Sequence, residues 1–564
     1  MAAEELPIFR HKPISAEQIR LLVLKSRVHG PHIMCEILHC DRENDREYVA
    51  LSYSWGPQDG TEFITVDGCR LNVSSHLKGA LKHLQQDDKD VVYWIDQVCI
   101  DQANDEEKSE QVYMMQSIYE RASHVEVWLG RSNHKSDLIM MFFEALTELK
   151  DGLGRQDPIT PWDEKYGLAR LSEAFEEFCE RDYWKRLWVI QEYALGKDVV
   201  IRCGRLQISQ WVLDNAIDIL NRAFTASANS FVSGILARRA RYQTEEPREP
   251  LFVVMFSSLV LETDYNQVRA SDARDRVFAL MGLCGDIEQF VMFPDYSAST
   301  AIVYQILARR FLEQGHIDNL AYCQFPHALP DDGLPTWAPD WSMYIRGCLK
   351  GHKLSFHASA GRVQSKFPPS IDLKVMTLEG TFIDTISELG SEWDPNWLED
   401  LDLDAALRYL KDIWRLRSLS PRLRDSSTLF DCTRLAIADQ CRFKDEDFPE
   451  WLDIDWPSAL TPLANDDQLE AEFYSLIHRE RYTPLLKNLH SRRPFISESG
   501  WVGLAPWHGK PGDKVVIFLG GSSAYTIRAK DATTYTVVGE TYVQGIMYGE
   551  FMAGEVQIES FNLV

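Results

Sequence analysis

Apolar and polar positions alternate in the first third of the chain in a way that predicts strands and helices in turn. Tyr48–Tyr53 (YVALSY) is an unbroken apolar run ending in Ser54-Trp55-Gly56-Pro57, which predicts a buried strand followed by a loop. Val91–Ile95 (VVYWI) repeats the pattern and stops at Asp96. Asn104 then reads as a helix N-cap with Glu107 as its capping-box partner. The stretch behind it places Val112, Met115, Ile118 or Tyr119, and Ala122 on one helical face. A third strand, Val125–Leu129 (VEVWL), closes at Gly130. Strand, helix and strand with about 25 residues between strand ends is the spacing of a parallel crossover unit.

Beyond this unit the pattern changes three times. A polar insertion, Arg131–Glu164, precedes a helix ending in Trp184–Leu195, with Gly196 as its C-cap. Val199–Cys203 (VVIRC) predicts a fourth strand, and Ser209–Phe325 is mainly helical. Proline punctuates Leu334–Trp341, Asp372–Thr381 returns to strand-like alternation, and an acidic helix-favouring stretch follows to Leu489. The tail carries turns at Pro511-Gly512-Asp513 and Gly520-Gly521, between short strands such as Lys514–Leu519 and Tyr525–Arg528. The expected organisation is therefore an α/β domain with a parallel sheet (1–208), a mainly helical region (209–345), a mixed and mostly helical region (346–490), and a small antiparallel β domain (491–564).

Composition narrows the function classes. The 564 residues exceed one ordinary core, and 45% hydrophobic with 11% aromatic content excludes a largely disordered chain. Asp and Glu number 85 against 59 Lys and Arg, a net charge of −26. A surface of that sign repels phosphate backbones and anionic lipid, so neither nucleic acid nor membrane is expected as a partner. The start, MAAEELPIFRHK, lacks the pattern of a secretory signal, and the apolar run Leu251–Leu261 is interrupted by serines and too short to span a bilayer. Eleven cysteines, odd in number and scattered, do not make a disulfide framework, which points to a reduced, cytoplasmic setting.

Standard catalytic signatures are absent. There is no G-x-S-x-G elbow and no H-E-x-x-H helix, and neither Gly503–Lys510 nor Gly152-x-Gly154 has the spacing of a phosphate loop. His29, His32, Cys35, His39 and Cys40 crowd together, but strand alternation sends them to opposite faces and no second ligand pair stands out, so no metal site is expected.

Two places carry chemistry. Ligands of parallel α/β sheets gather beyond the carboxyl ends of the strands. Those ends here carry Ser52, Ser54, Trp55 and Gly56, then Asp96, then Gly130. Small residues leave room, Trp55 offers a stacking face and Asp96 accepts from hydroxyls, a set that suits a nucleoside or sugar. On the alternative reading, Asp96 only holds the loop carrying Asp101 and Gln102, and Trp55 is core. The second place is Arg186–Leu195 (RLWVIQEYAL), where seven of ten side chains are apolar or aromatic and cover nearly the whole circumference. Glu192 shares a face with Trp188 and Leu195. A carboxylate there must be paired, protonated or used, and Arg186 can partner it only through the fold.

These residues also carry a resemblance. YVALSYSWG (Tyr48–Gly56), WIDQVCIDQ (Trp94–Gln102), EQVYMMQSIYERASHVEVWLG (Glu110–Gly130) and RLWVIQE (Arg186–Glu192) resemble the fungal heterokaryon incompatibility (HET) domain. DARDRVFALMGL (Asp272–Leu283), LPTWAPDWS (Leu334–Ser342) and the C-terminal GDKVVIFLGG and YTVVGETYVQGIMYGE are similar to segments that follow that domain in the family. The resemblance implies a role in non-self recognition, where HET-domain proteins trigger growth arrest and cell death after fusion of incompatible cells.

HET domains are in turn distantly similar to TIR domains, which have a flavodoxin-like parallel sheet, and some of which cleave NAD with one glutamate. RLWVIQE resembles the TIR pattern of Trp followed four residues later by Glu, which implies Glu192 as catalytic residue, NAD as substrate rather than cofactor, and Ser54, Trp55 and Asp96 as ligand contacts. The sequence departs from the TIR pattern in the long stretch, 130–185, between VEVWL and RLWVIQE. The alternative is a non-catalytic signalling scaffold that acts by self-association or by binding an unknown protein partner, with WIDQVCIDQ building the interface.

Overall fold

A computed structural model describes residues 6–30, 32–43, 46–57, 62–152, 159–223, 230–244, 247–259, 268–290, 292–325, 333–343, 345, 348–349, 356–365, 367, 372–392, 403–423, 429–439, 471, 473, 486, 489 and 491–564. The chain divides into two compact units, residues 1–259 with 263–299 and residues 300–564 with 260–262.

The first unit is built on a nine-stranded sheet: β1 (Gln18–Leu24), β2 (Met34–Asp41), β3 (Val49–Tyr53), β4 (Glu62–Val66), β5 (Cys69–Val73), β6 (Val91–Trp94), β7 (His124–Trp128), β8 (Val199–Cys203) and β9 (Leu206–Ser209), in the order β5-β4-β2-β1-β6-β3-β7-β8-β9. The four strands expected from the sequence, β6, β3, β7 and β8, are neighbours and run parallel. The sheet as a whole is mixed, because β1 and β9 flank this core antiparallel and the β1–β2, β4–β5 and β8–β9 pairs are antiparallel. Short connections such as Asp67-Gly68 permit only antiparallel pairing. All five residues of β3 are buried, as a strand covered on both faces requires. Numbered by appearance, the parallel strands lie in the order 2-1-3-4. The chain thus leaves β3 for one side and then returns to its other side.

Helices fill the connections: α1 (Ser75–Leu84), α2 (Asp96–Cys99), α3 (Asp105–Arg121), α4 (His134–Gly152), α5 (Thr160–Tyr166), α6 (Leu168–Cys179) and α7 (Trp188–Leu195), followed by α8 (Gln210–Ala223), α9 (Ser230–Thr244), α10 (Leu251–Leu259), α11 (Asp275–Met281) and α12 (Ile287–Phe290). Asn104 does cap α3, accepting from the Glu107 amide at 3.2 Å, and three acids in the first turn suit the helix dipole. The Glu107 side chain does not complete the capping box. It turns inward to the buried Arg20, at 2.5 and 2.9 Å, and accepts from the Asp101 amide at 2.8 Å.

Three local expectations change. The supposed polar insertion contains α4, whose Leu138, Ile139, Phe142, Phe143 and Leu146 are buried at helical spacing between polar ends. Helix α7 begins at Trp188, preceded by a turn over residues 182–185 and a bridge at Arg186. Gly196 is not a left-handed cap, since its φ is −57°. It is glycine because a Cβ there would lie 2.4 Å from Val125 Cγ2. The carbonyls at the end of α7 are instead bound by the buried Arg239, at 2.8 Å to Tyr193 O and 2.8 Å to Lys197 O.

The second unit holds a seven-stranded sheet of β10 (Met376–Leu389), β11 (Arg492–Ser497), β12 (Val502–Pro506), β13 (Lys514–Phe518), β14 (Ala524–Ala529), β15 (Thr534–Val543) and β16 (Glu559–Leu563). The end strands pair a second time, β11 with β10 and β16 with β15, which leaves neither as a free edge. All pairings are antiparallel except β15–β16. The sheet is thus not confined to the tail: β10 comes from the strand-like alternation near residue 376. Helices α13 (Thr300–Glu313), α14 (Leu403–Leu419) and α15 (Leu429–Ala436) belong to this unit. Leu410, Ile413 and Leu435 share one core with Leu504 and Tyr542 of the sheet. Most of the helix-favouring stretch from 440 to 490 lies outside the described residues.

Candidate functional site

The carboxyl ends of β6 and β3 open into a cleft of about 500 Å³, within the range of small-molecule sites. Ser54, Trp55 and Asp96 all line it. β3 hands over to Ser54-Trp55-Gly56 through a tight bend in which Gly56 has φ +65°, and a Cβ there would stand 2.7 Å from the His76 ring. Asp96 follows β6 directly and opens α2. Trp55 Nε1 donates to Asp96 Oδ2 at 2.7 Å, and the Gln97 amide donates to Oδ1 at 2.7 Å. Gln102 Nε2 reaches the Asp96 carbonyl at 2.9 Å, so Asp96 both steadies its loop and faces the cleft. Burial pushes its carboxyl above the usual range, against the pull of Arg186 and the Trp55 bond.

Arg186 is the hub. It lines the cleft, donates to the Tyr53 carbonyl at the end of β3, and places Nη2 3.9 Å from Asp96 Oδ2. Its charge also acts on Glu192, an approach that six residues of helix could not supply. Glu192 itself is 1% exposed and lines no described cleft. Its Oε2 accepts from Ser52 Oγ, and Ser52 Oγ stands 2.9 Å from the Tyr183 hydroxyl. With the serine proton given to Glu192, Tyr183 is the donor of that second bond. Burial, reinforced by the charge of Asp96, pushes the Glu192 carboxyl up to about 7, while Arg186 and the Ser52 bond act the other way.

Sequence reasoning missed the far wall. Lys108, Val112 and Met115 come from α3, Trp188 from α7, and residues 269–272, Asp275 and Tyr296 from well beyond the strand ends. The segment at Arg269 is stitched to the start of α7 by two backbone bonds, Leu187 N to Arg269 O at 3.1 Å and Arg269 N to Lys185 O at 2.5 Å. The Tyr296 hydroxyl donates to Asp275 Oδ1 at 2.6 Å, fixing that corner. Nothing in the residue pattern of 269–296 ties it to the strand ends; only the block beginning at Asp272 stood out. A smaller neighbouring cleft of about 330 Å³ shares Ser54 and Asp182 and includes Gly130 and Tyr183. Among the described residues, no group of three His, Cys, Asp or Glu is arranged to hold a metal ion, and no helix is long and apolar enough to cross a membrane.

Residues 48–192 match the family model of the heterokaryon incompatibility protein (HET), and residues 446–564 match that of the Het-6 beta-barrel domain. Both matches support a heterokaryon incompatibility family. It is similar to "Heterokaryon incompatibility protein 6, OR allele" of Neurospora crassa, 26% identical over 632 residues that cover 92% of this chain and 91% of the relative. No solved structure matches the chain. The HET match takes in Ser54, Trp55, Asp96 and Arg186 and ends at Glu192, whereas the cleft wall at 269–296 lies beyond it.

Proposed function

We propose that this chain is a non-self recognition effector of the heterokaryon incompatibility type, and that its cleft takes NAD and cleaves it at the nicotinamide–ribose bond. Glu192 is the catalytic carboxylate of this reading; Ser54, Trp55 and Asp96 are its ligand contacts. The observation that carries it is a buried carboxylate poised near 7 beside a cleft at the carboxyl ends of parallel strands. The 2-1-3-4 strand order supports the TIR-like reading, since flavodoxin-like sheets bind ligands where that order reverses. In the reaction the C–N bond breaks with its electron pair leaving on the nicotinamide nitrogen. A carboxylate stabilises the positive charge that develops on the ribose, and water adds there to give ADP-ribose and a proton. Glu192 feels the charges of Arg186 and Asp96, which line the cleft, and an anionic ligand that draws Arg186 outward would open its path to the ribose. Expression in a fungal host tests the reading: wild type arrests growth and Glu192→Gln, at equal protein level, does not. Arrest by both forms removes the catalytic assignment.

The scaffold reading rests on the 1% exposure of Glu192, which is what a structural strut held by Ser52 would show. The segment assigned to its interface offers little surface, because Trp94, Ile95, Val98, Cys99 and Ile100 are all buried.

A further inference from the structure

We infer that the cleft contains an anion subsite centred on Lys108, which takes the diphosphate of a nucleotide ligand. The inference rests on the nucleotide reading of the cleft for the identity of its ligand, but on Lys108 alone for the anion. Lys108 sits in the first turns of α3 and lines the cleft, with its ammonium 3.8 Å from the centre of the Tyr296 ring. Among the described residues no carboxylate lies within ion-pair distance of it. Asp272 and Asp275 face it but are engaged elsewhere: Asp272 with Arg274 at 2.7 and 2.9 Å, Asp275 with the Tyr296 hydroxyl at 2.6 Å.

The two other cations of the cleft already have acidic neighbours, Arg186 at 3.9 Å from Asp96 and Arg269 at 3.6 Å from Asp182. Among the described residues Lys108 is the cleft cation with no carboxylate within ion-pair distance, and the Tyr296 ring holds it in place without neutralising it. An ammonium is a compact point charge suited to phosphate oxygens. Trp55 and Asp96 in the same cleft suit a ring and hydroxyls, so a phosphate at Lys108 completes a nucleotide. Tyr296, the ring that positions this lysine, lies outside the matched HET region, so that region alone does not contain the whole subsite.

Titration calorimetry on the full chain, with pyrophosphate and adenosine as separate probes, tests this. Lys108→Met keeps the stem that covers Tyr296 and removes the charge. Pyrophosphate should bind wild type, weaken about tenfold or more in Lys108→Met, and recover in Lys108→Arg, with circular dichroism confirming the fold of each. Pyrophosphate binding that is equal in wild type and Lys108→Met, or absent from wild type, overturns the subsite whatever adenosine does. Loss of pyrophosphate binding in Lys108→Met together with no adenosine binding in any form upholds the subsite and sinks the nucleotide reading.

Discussion

Replacing Glu192 by Gln should stabilise the protein at alkaline pH. The folded-state carboxyl titrates near 7 instead of its ordinary 4.5, because it is buried and Asp96 adds a like charge. The folded state therefore binds this proton more tightly than the unfolded chain. Stability from the group is complete below about pH 4.5 and is lost as pH rises through 7. At about 1.4 kcal/mol per pKa unit, the full loss is about 3 kcal/mol by pH 8.5. Gln cannot ionise, and its amide oxygen still accepts from Ser52. Urea unfolding of both forms at pH 5 and pH 8.5, followed by tryptophan fluorescence, measures the difference. The gap should move in favour of Glu192→Gln by about 3 kcal/mol between the two pH values. A gap that stays constant, or moves toward wild type, would show that Arg186 keeps Glu192 ionised throughout and would refute the reasoning.

Other expectations follow from single contacts. Arg20→Ala leaves Glu107 buried without its guanidinium and should destabilise the first unit by about 3–5 kcal/mol, seen as a fall in thermal midpoint. Gly196→Ala must push Val125 aside and should cost about 1–3 kcal/mol in urea unfolding, although its φ suits any residue. Trp55→Phe removes the indole donor from Asp96 and should cost about 1–3 kcal/mol by the same assay.

The parallel core was legible because its strands are buried on both faces and therefore read as unbroken apolar runs, as in VALSY of β3. Strand β2 was not, because its positions are mostly exposed or partly exposed and make no unbroken apolar run. Ser54, Trp55 and Asp96 were found together because the end of a parallel strand is a fixed place in the fold. The depth of Glu192 followed from the apolar circumference of its helix, but its bonds did not: Ser52 is 140 residues away in sequence. The cleft wall at 269–296 was invisible for the same reason, since what joins it to the site is two backbone bonds at Arg269 and the bond from the Tyr296 amide to Ser109. Capping rules placed Asn104 correctly and failed for Glu107, where a buried arginine outcompeted the local amide.

The most direct test of the account is nicotinamide release from NAD by the purified full chain, beside its Glu192→Gln form. Release by wild type and none by the variant is the expected result, with both folded by circular dichroism. Equal release by the two forms, or none from a wild type that binds NAD, would contradict it.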